Sequence, residues 1–184
     1  LHIGWMTQIL PYIEQQAAFN KFDFAKSAYG PENAEVRSLS IPTFRCPSNP
    51  TTFGRTQQPY VGTSDYAGCY HDVEAPIEAD NQGVLFLNSQ IRYSDITDGT
   101  TGTILFGEAL GDKDRLGWVS GTRATLRNTD VFEDMTLEQW QSQDKESSVV
   151  GGFDSFHAGG GNFAFCDGGV RFLTHRVDPK IFRL

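Results

Sequence analysis

The residues whose types and spacing most suggest chemistry lie near the end of the chain, in FDSFHAGGGNFAFCDGG, where Asp154, Ser155 and His157 fall within four residues. An acid, a hydroxyl and an imidazole are the parts of an acyl-transfer triad. Triad members, however, converge from separate segments onto a strained nucleophile turn, and neither a G-x-S-x-G elbow nor an oxyanion turn accompanies these. No catalytic residue is therefore assigned, and the chain is expected to be non-enzymatic. The structural alternative is that the His157 imidazole bonds a carboxylate such as Glu108, or a backbone carbonyl, and so fixes how the following chain returns to a sheet. The glycines Gly159-Gly160-Gly161 are not a phosphate cradle, because no Lys-Ser/Thr follows and a strand rather than a helix comes next.

A second group offers hard oxygen donors. Asp95, Asp98 and the Thr100 hydroxyl sit close together in a turn and are the ligand type that Ca²⁺ takes, at a spacing that is not an EF-hand. The plainer reading is a β-turn in which Asp-Gly-Thr caps its own backbone. The acidic loop with Asp72, Glu74, Glu78 and Asp80 is another candidate location for the ion. No other cofactor is expected. Cys46, Cys69 and Cys166 form no C-x-x-C pair and no Cys/His ligand spacing, which argues against structural zinc. They are disulfide candidates, and one disulfide with one free thiol or three buried reduced thiols both fit. Tyr60, Tyr66, Tyr70 and Trp140 in loop contexts are either core residues or rings that stack on sugars or apolar ligands.

The elements that must position these groups follow from composition and pattern. A chain of 184 residues with 39% hydrophobic and 12% aromatic content builds one ordinary core, so the expectation is a single α+β domain over 1–184. Its 15 basic and 23 acidic residues give a formal charge of -8, which repels nucleic acid and anionic membrane surfaces. Between 4 and 19 the apolar residues Trp5, Ile9, Tyr12, Ile13, Ala17 and Phe19 recur at helical spacing, with Pro11 kinking the helix or opening a second one. Residues 40–65 carry Pro42, Pro47, Pro50 and Pro59 and read as a long loop. Short strands are expected at 83–87, 103–107 and 116–120, paired antiparallel because the segments between them lack a crossover helix.

From 127 to 148 the chain turns polar and reads as an insertion at the sheet edge, with a short helix announced by the capping box Thr136-x-x-Gln139. The strongest local signal is a hairpin over 162–173, where Asp167-Gly168 separates two apolar alternations. Asp178 and Pro179 announce a further helix, cut after one turn. That cut, together with the start at Leu1 and the lack of an apolar run long enough to span a membrane, predicts a fragment whose anchor and targeting segments lie elsewhere.

His157 followed by nine residues and then Asp167-Gly168 resembles the C-terminal H-x9-D-G signature of the planctomycete-type DUF1559 family. The likeness runs through most of the chain. Trp5 with Leu10-Pro11-Tyr12-Ile13-Glu14-Gln15 resembles the family's W-x4-LPYxEQ, Phe44-Arg45-Cys46-Pro47-Ser48 its FxCPS, and Tyr66-Ala67-Gly68 its YAG. Gly83-Val84-Leu85-Phe86 resembles its G-V-hydrophobic segment, and Asp95-Ile96-Thr97-Asp98-Gly99-Thr100 with Thr103, Ile104 and Glu108 its ITDGTSNT…E block. Cys69 and Gly102 depart from that pattern.

Family members look like pseudopilins of type II secretion and type IV pilus-like machines. The resemblance implies a pseudopilin-like fold, an N-terminal helical segment packed on an antiparallel sheet with long loops. His157, Asp167, Gly168, Glu108, Asp98 and Gly99 would be its structural motif residues. It further implies a non-enzymatic assembly subunit in the cell envelope, periplasmic or at the cell surface. Such a subunit meets other pilin-like subunits and secreted cargo, and is held in the inner membrane only by an N-terminal helix missing here. Major pseudopilins often use a Ca²⁺-stabilised loop, which adds to the reading of Asp95, Asp98 and Thr100. The alternative is an extracytoplasmic solute- or carbohydrate-binding module.

Overall fold

The computed structural model describes residues 1–50, 60–110, 116–142 and 149–183. The chain divides into two compact units, Leu1–Asp65 with Gly111–Thr125, and Tyr66–Leu110 with Leu126–Leu184. The architecture is α+β: short helices and one six-stranded sheet. Among the described residues no helix is long and apolar enough to cross a membrane. The middle of the proline-rich loop, 51–59, and the end of the polar stretch, 143–148, lie outside the described residues.

In the first unit the N-terminal segment is helical but broken. Helix α1 (Trp5–Ile9) passes into a 3-10 turn, Leu10–Ile13, with Pro11 in its first turn, and α2 (Gln16–Lys21) follows. Glu14 lies between them in the left-handed region at φ 61, which shifts the helical phase. For that reason the expected stripe is not the buried face. Tyr12 is 87% exposed, whereas Met6, Leu10 and Ala18 are buried. A third helix, α3 (Ala34–Arg37), completes the helical part.

The core of this unit centres on Trp118, which is fully buried with Val36 and Val61. Burying each such large side chain contributes about 1.5–3 kcal/mol. The indole N–H of Trp118 donates to the Leu39 carbonyl at 2.8 Å, and its ring lies 5.5 Å from that of Phe44. The strand expected at 116–120 reduces to one bridge, Ile3 to Ser120, because Gly117 turns the backbone at φ 80.

The second unit holds the sheet, in the order β4-β3-β1-β2-β5-β6. Its strands are β1 (Tyr66–His71), β2 (Ile104–Glu108), β3 (Leu126–Asp134), β4 (Gly152–Ser155), β5 (Gly160–Phe165) and β6 (Val170–Thr174). The β1/β2, β2/β5 and β5/β6 pairs are antiparallel, but β1/β3 and β3/β4 are parallel, so the sheet is mixed rather than antiparallel throughout. The connections explain the correction. Between β2 and β3 the chain leaves for the first unit over 111–125, and between β3 and β4 it carries α4 (Leu137–Ser142), so both parallel returns have the length that antiparallel turns do not need.

The expected strand at 83–87 is also absent. There Val84 and Leu85 both donate to one carbonyl, that of Cys69, which is a turn and not a ladder. The polar stretch from 127 opens instead as part of β3, the longest strand, with Arg127, Asn128 and Thr129 all buried.

The other local signals hold. Thr136 N donates to Gln139 Oε1 at 2.8 Å and Gln139 N to Thr136 Oγ1 at 3.2 Å, closing the capping box of α4. Asp178 accepts from Lys180 N and opens α5 (Pro179–Phe182). The sheet core gathers Ala67, Cys69, Ile104, Phe153, Phe163 and Phe165, with Phe182 of α5 inserted among the rings. Phe163 meets Phe153 at 5.2 Å, Phe182 at 5.5 Å and Phe132 at 4.9 Å, all edge to face, a geometry that adds to plain burial.

Candidate functional site

The β2/β5 pair carries most of the motif residues, and its register explains their spacing. Antiparallel pairing sets Ile104 opposite Phe165 and Gly107 opposite Phe163. The start of β5 therefore lies beside Glu108, and its end beside the turn that precedes β2. His157 and Asp167 bracket β5 in sequence, and each end is tied to a different part of the ITDGT…E block.

At the first end Glu108, 4% exposed, is the acceptor at the centre. Its Oε2 accepts from Asn162 N at 2.9 Å and from Ser155 Oγ at 3.1 Å. Its Oε1 accepts from His157 Nε2 at 3.1 Å and from Asn162 Nδ2 at 3.2 Å. The carboxylate joins β2, β4, β5 and the loop between the last two. Burial of a carboxylate is tolerated when several donors replace its water, and four do so here. The sequence reading of His157 as a bond to Glu108 is what the geometry contains; Asn162 and Ser155 as partners were not anticipated.

Chemically, Ser155 and His157 do not stand in relay order. A triad needs the imidazole between hydroxyl and carboxylate. Here the carboxylate stands between the other two, and Ser155 Oγ also accepts from His157 N at 3.1 Å, in a local turn. Asp154 is directed elsewhere, its Oδ1 accepting from Leu110 N at 2.6 Å. Gly160 permits close approach to β6, since a Cβ there would stand 2.1 Å from the Leu173 carbonyl oxygen.

At the other end Asp167 N donates to Thr100 O at 3.1 Å and Cys166 N to Thr103 O at 3.0 Å. Gly168, at φ 82, completes the hairpin turn, and Asp167 Oδ1 accepts from Gly169 N at 2.8 Å. Arg171, another residue without an assigned part in the sequence reading, donates to Thr101 O at 2.5 Å, lies 3.4 Å from Asp167 Oδ2 and sits 4.2 Å over the Phe165 ring.

The candidate Ca²⁺ ligands belong to this turn system. Asp95 Oδ2 accepts from Arg92 N at 2.8 Å and its Oδ1 from Ser94 Oγ at 3.2 Å, while Asp98 Oδ1 accepts from Thr97 Oγ1 at 3.4 Å. Gly99 turns the backbone at φ 89. These oxygens serve the turn itself. In the acidic loop, Glu74 accepts from Asn128 Nδ2 at 2.7 Å and from Val150 N and Gly151 N at 2.8 Å, pinning the loop to β3 and to the approach to β4.

The three thiols are free, Cys69 and Cys166 buried and Cys46 half-buried. Burial pushes the Cys69 thiol up to about 12 and that of Cys166 upward. Cys69 lies on β1 and Cys166 follows β5, with β2 between, a separation of about two strand spacings, beyond the reach of a direct disulfide without backbone movement. Of the candidate stacking rings, Tyr70 is fully buried with its hydroxyl bonded to Ala75 O at 2.6 Å, Tyr66 packs edge-on to Phe106, Trp140 packs on Phe156, and Tyr60 is 46% exposed.

A second buried carboxylate organises the FRCPS segment in the first unit. Asp65, 2% exposed, accepts from Cys46 N at 2.8 Å and Asn49 Nδ2 at 2.7 Å and lies 3.2 Å from Arg45 Nε. Its position just before the YAG motif was the signal available for it.

No curated protein and no solved structure matches the chain. The model of the family described as "Protein of unknown function (DUF1559)" matches residues 2–180, and the chain belongs to that family.

Proposed function

We propose that the chain is a non-enzymatic structural subunit of a type II secretion or type IV pilus-like assembly, with a pseudopilin-like arrangement in which the N-terminal helical segment packs on the sheet. The observation that carries this reading is the Glu108 centre. Its carboxylate and the His157, Ser155 and Asn162 groups are bonded to one another across β2, β4 and β5, which suits a motif that locks a sheet for packing beside neighbours. The acidic balance of the chain suits an envelope-exposed surface domain kept soluble among other proteins. In this reading the domain sits on the periplasmic or outer side of the envelope and meets pilin-like subunits and exported cargo. A membrane-spanning N-terminal helix of the precursor supplies most of the assembly energy.

The test is in-cell cross-linking of the full-length protein from a photoreactive residue at exposed Tyr12 or Tyr93, followed by identification of the captured proteins. Pilin-like subunits or further copies are expected. Capture of no envelope subunit, together with tight retention of a sugar or small solute by the purified protein, would sink the reading and favour the solute-binding alternative.

A further inference from the structure

Strand β6 ends the sheet next to β5, and it lacks the devices that usually blunt such an edge. It contains no proline, and its five pairings with β5 run without a register shift, whereas the β1/β3, β2/β5 and β3/β4 pairs are all irregular. The bonds Phe165 N to Gly169 O and His175 N to Gly159 O set the alternation of the ladder. By that alternation the backbone groups of Arg171 and Leu173 face β5, and those of Val170, Phe172 and Thr174 face away from it. The side chains of Val170 and Phe172 are 68% and 49% exposed on one face.

Charge selects the partner. The chain carries -8 overall, yet from β6 onward Arg171, Arg176, Lys180 and Arg183 stand against a single acid, Asp178. Arg171 lies by Asp167 and Arg183 pairs with Asp130, while Arg176 and Lys180 are exposed. A basic, apolar, regular edge suits strand addition by an extended segment that alternates acidic and apolar residues. We infer that the β6 edge binds such an acidic strand from a neighbouring polypeptide, adding a seventh strand to the sheet. The site rests on the edge itself; only the choice of a polypeptide partner leans on the assembly reading above.

The test titrates the protein with short peptides alternating Glu with Val or Lys with Val, and follows amide exchange residue by residue. With the Glu peptide, exchange at Val170, Phe172 and Thr174 is expected to slow about tenfold, and the effect to weaken as salt rises. The Lys peptide should leave these amides unchanged. Val170→Pro removes one outward donor at the first residue of the strand, where proline is tolerated, and should abolish the protection. The double variant Arg176→Glu/Lys180→Glu alters only exposed side chains and should remove the preference for the acidic peptide. Protection with neither peptide, or equal protection with both, overturns the inference. So does a dimer of the chain alone that Val170→Pro dissolves, because the edge would then belong to a second copy. None of these results bears on the captured partners in the cross-linking experiment, so the two readings fail separately.

Discussion

Asp65 and Glu108 are both buried carboxylates at the centre of a motif, but they are compensated in different ways. Asp65 lies against the Arg45 guanidinium and takes two further donors from Cys46 and Asn49, all within one loop. Glu108 takes its donors from a hydroxyl, a backbone amide, a carboxamide and an imidazole that lie 47 to 54 residues away in sequence. The first centre shapes a segment. The second closes long loops and determines which strands are neighbours, so its loss reopens chain entropy that the first never controlled. Similar groups therefore do different work according to the sequence distance they span.

The sharpest break of this comparison is Glu108→Ala, which leaves the donors of Ser155, His157 and Asn162 buried together and is expected to cost about 4 kcal/mol. In urea the midpoint should fall, and amide protection should be lost across β2, β4 and β5. Asp65→Ala strands a guanidinium that is still partly solvated and should cost about 3 kcal/mol. Its signature is local: faster alkylation of Cys46, with sheet amides unaffected below the unfolding transition. Equal loss of sheet protection in both variants would erase the distinction between a local and a long-range centre.

That distinction also governs what could be read before the structure. The hairpin around Asp167-Gly168, the Thr136 capping box and the Asp178-Pro179 helix start are local chemistry, and each formed where the residues announced it. The contact of His157 with Glu108 was legible because a motif with few other tasks leaves an imidazole in need of an acceptor. β3 was not legible, since Arg127, Asn128 and Thr129 look like surface residues until Leu110 O and Glu74 are brought in to bond them. The parallel pairings were hidden for a related reason: the chain leaves the sheet for the other unit between β2 and β3, and no pattern in that excursion marks its return. The stripe Trp5 to Phe19 misled because a single left-handed residue, Glu14, rotates everything after it.

A smaller effect separates the units by pH. Burial, opposed by the bond from Cys69 Sγ to His71 O, holds the Cys69 thiol protonated up to about 12 against an ordinary 9.0. A raised folded value means the stabilisation is whole below 9.0 and is lost as pH climbs toward 12, because the unfolded chain releases its proton first. Tyr70 and Cys166, also raised by burial, act in the same direction. The unfolding midpoint of the sheet unit should therefore fall between pH 9 and 11, and Cys69→Ala should flatten part of that slope. An unchanged slope in Cys69→Ala would mean that the thiol is not buried in the folded protein.

The smallest effect tests which group is the pivot of the Glu108 centre. His157 is 28% exposed in its side chain and makes one bond to Glu108, with an edge-on contact to Phe172 at 6.3 Å. Removing it in His157→Ala deletes one donor while Ser155 and both Asn162 groups stay in place, so the loss should be about 1 kcal/mol. Water can reach the vacated position and replace the lost bond, which keeps the cost well below that of Glu108→Ala. A loss equal to that of Glu108→Ala would make the imidazole, and not the carboxylate, the group on which β2, β4 and β5 depend. Asn162→Ala then decides the matter, because it removes a carboxamide donor and leaves the backbone bond of residue 162 to Glu108 intact.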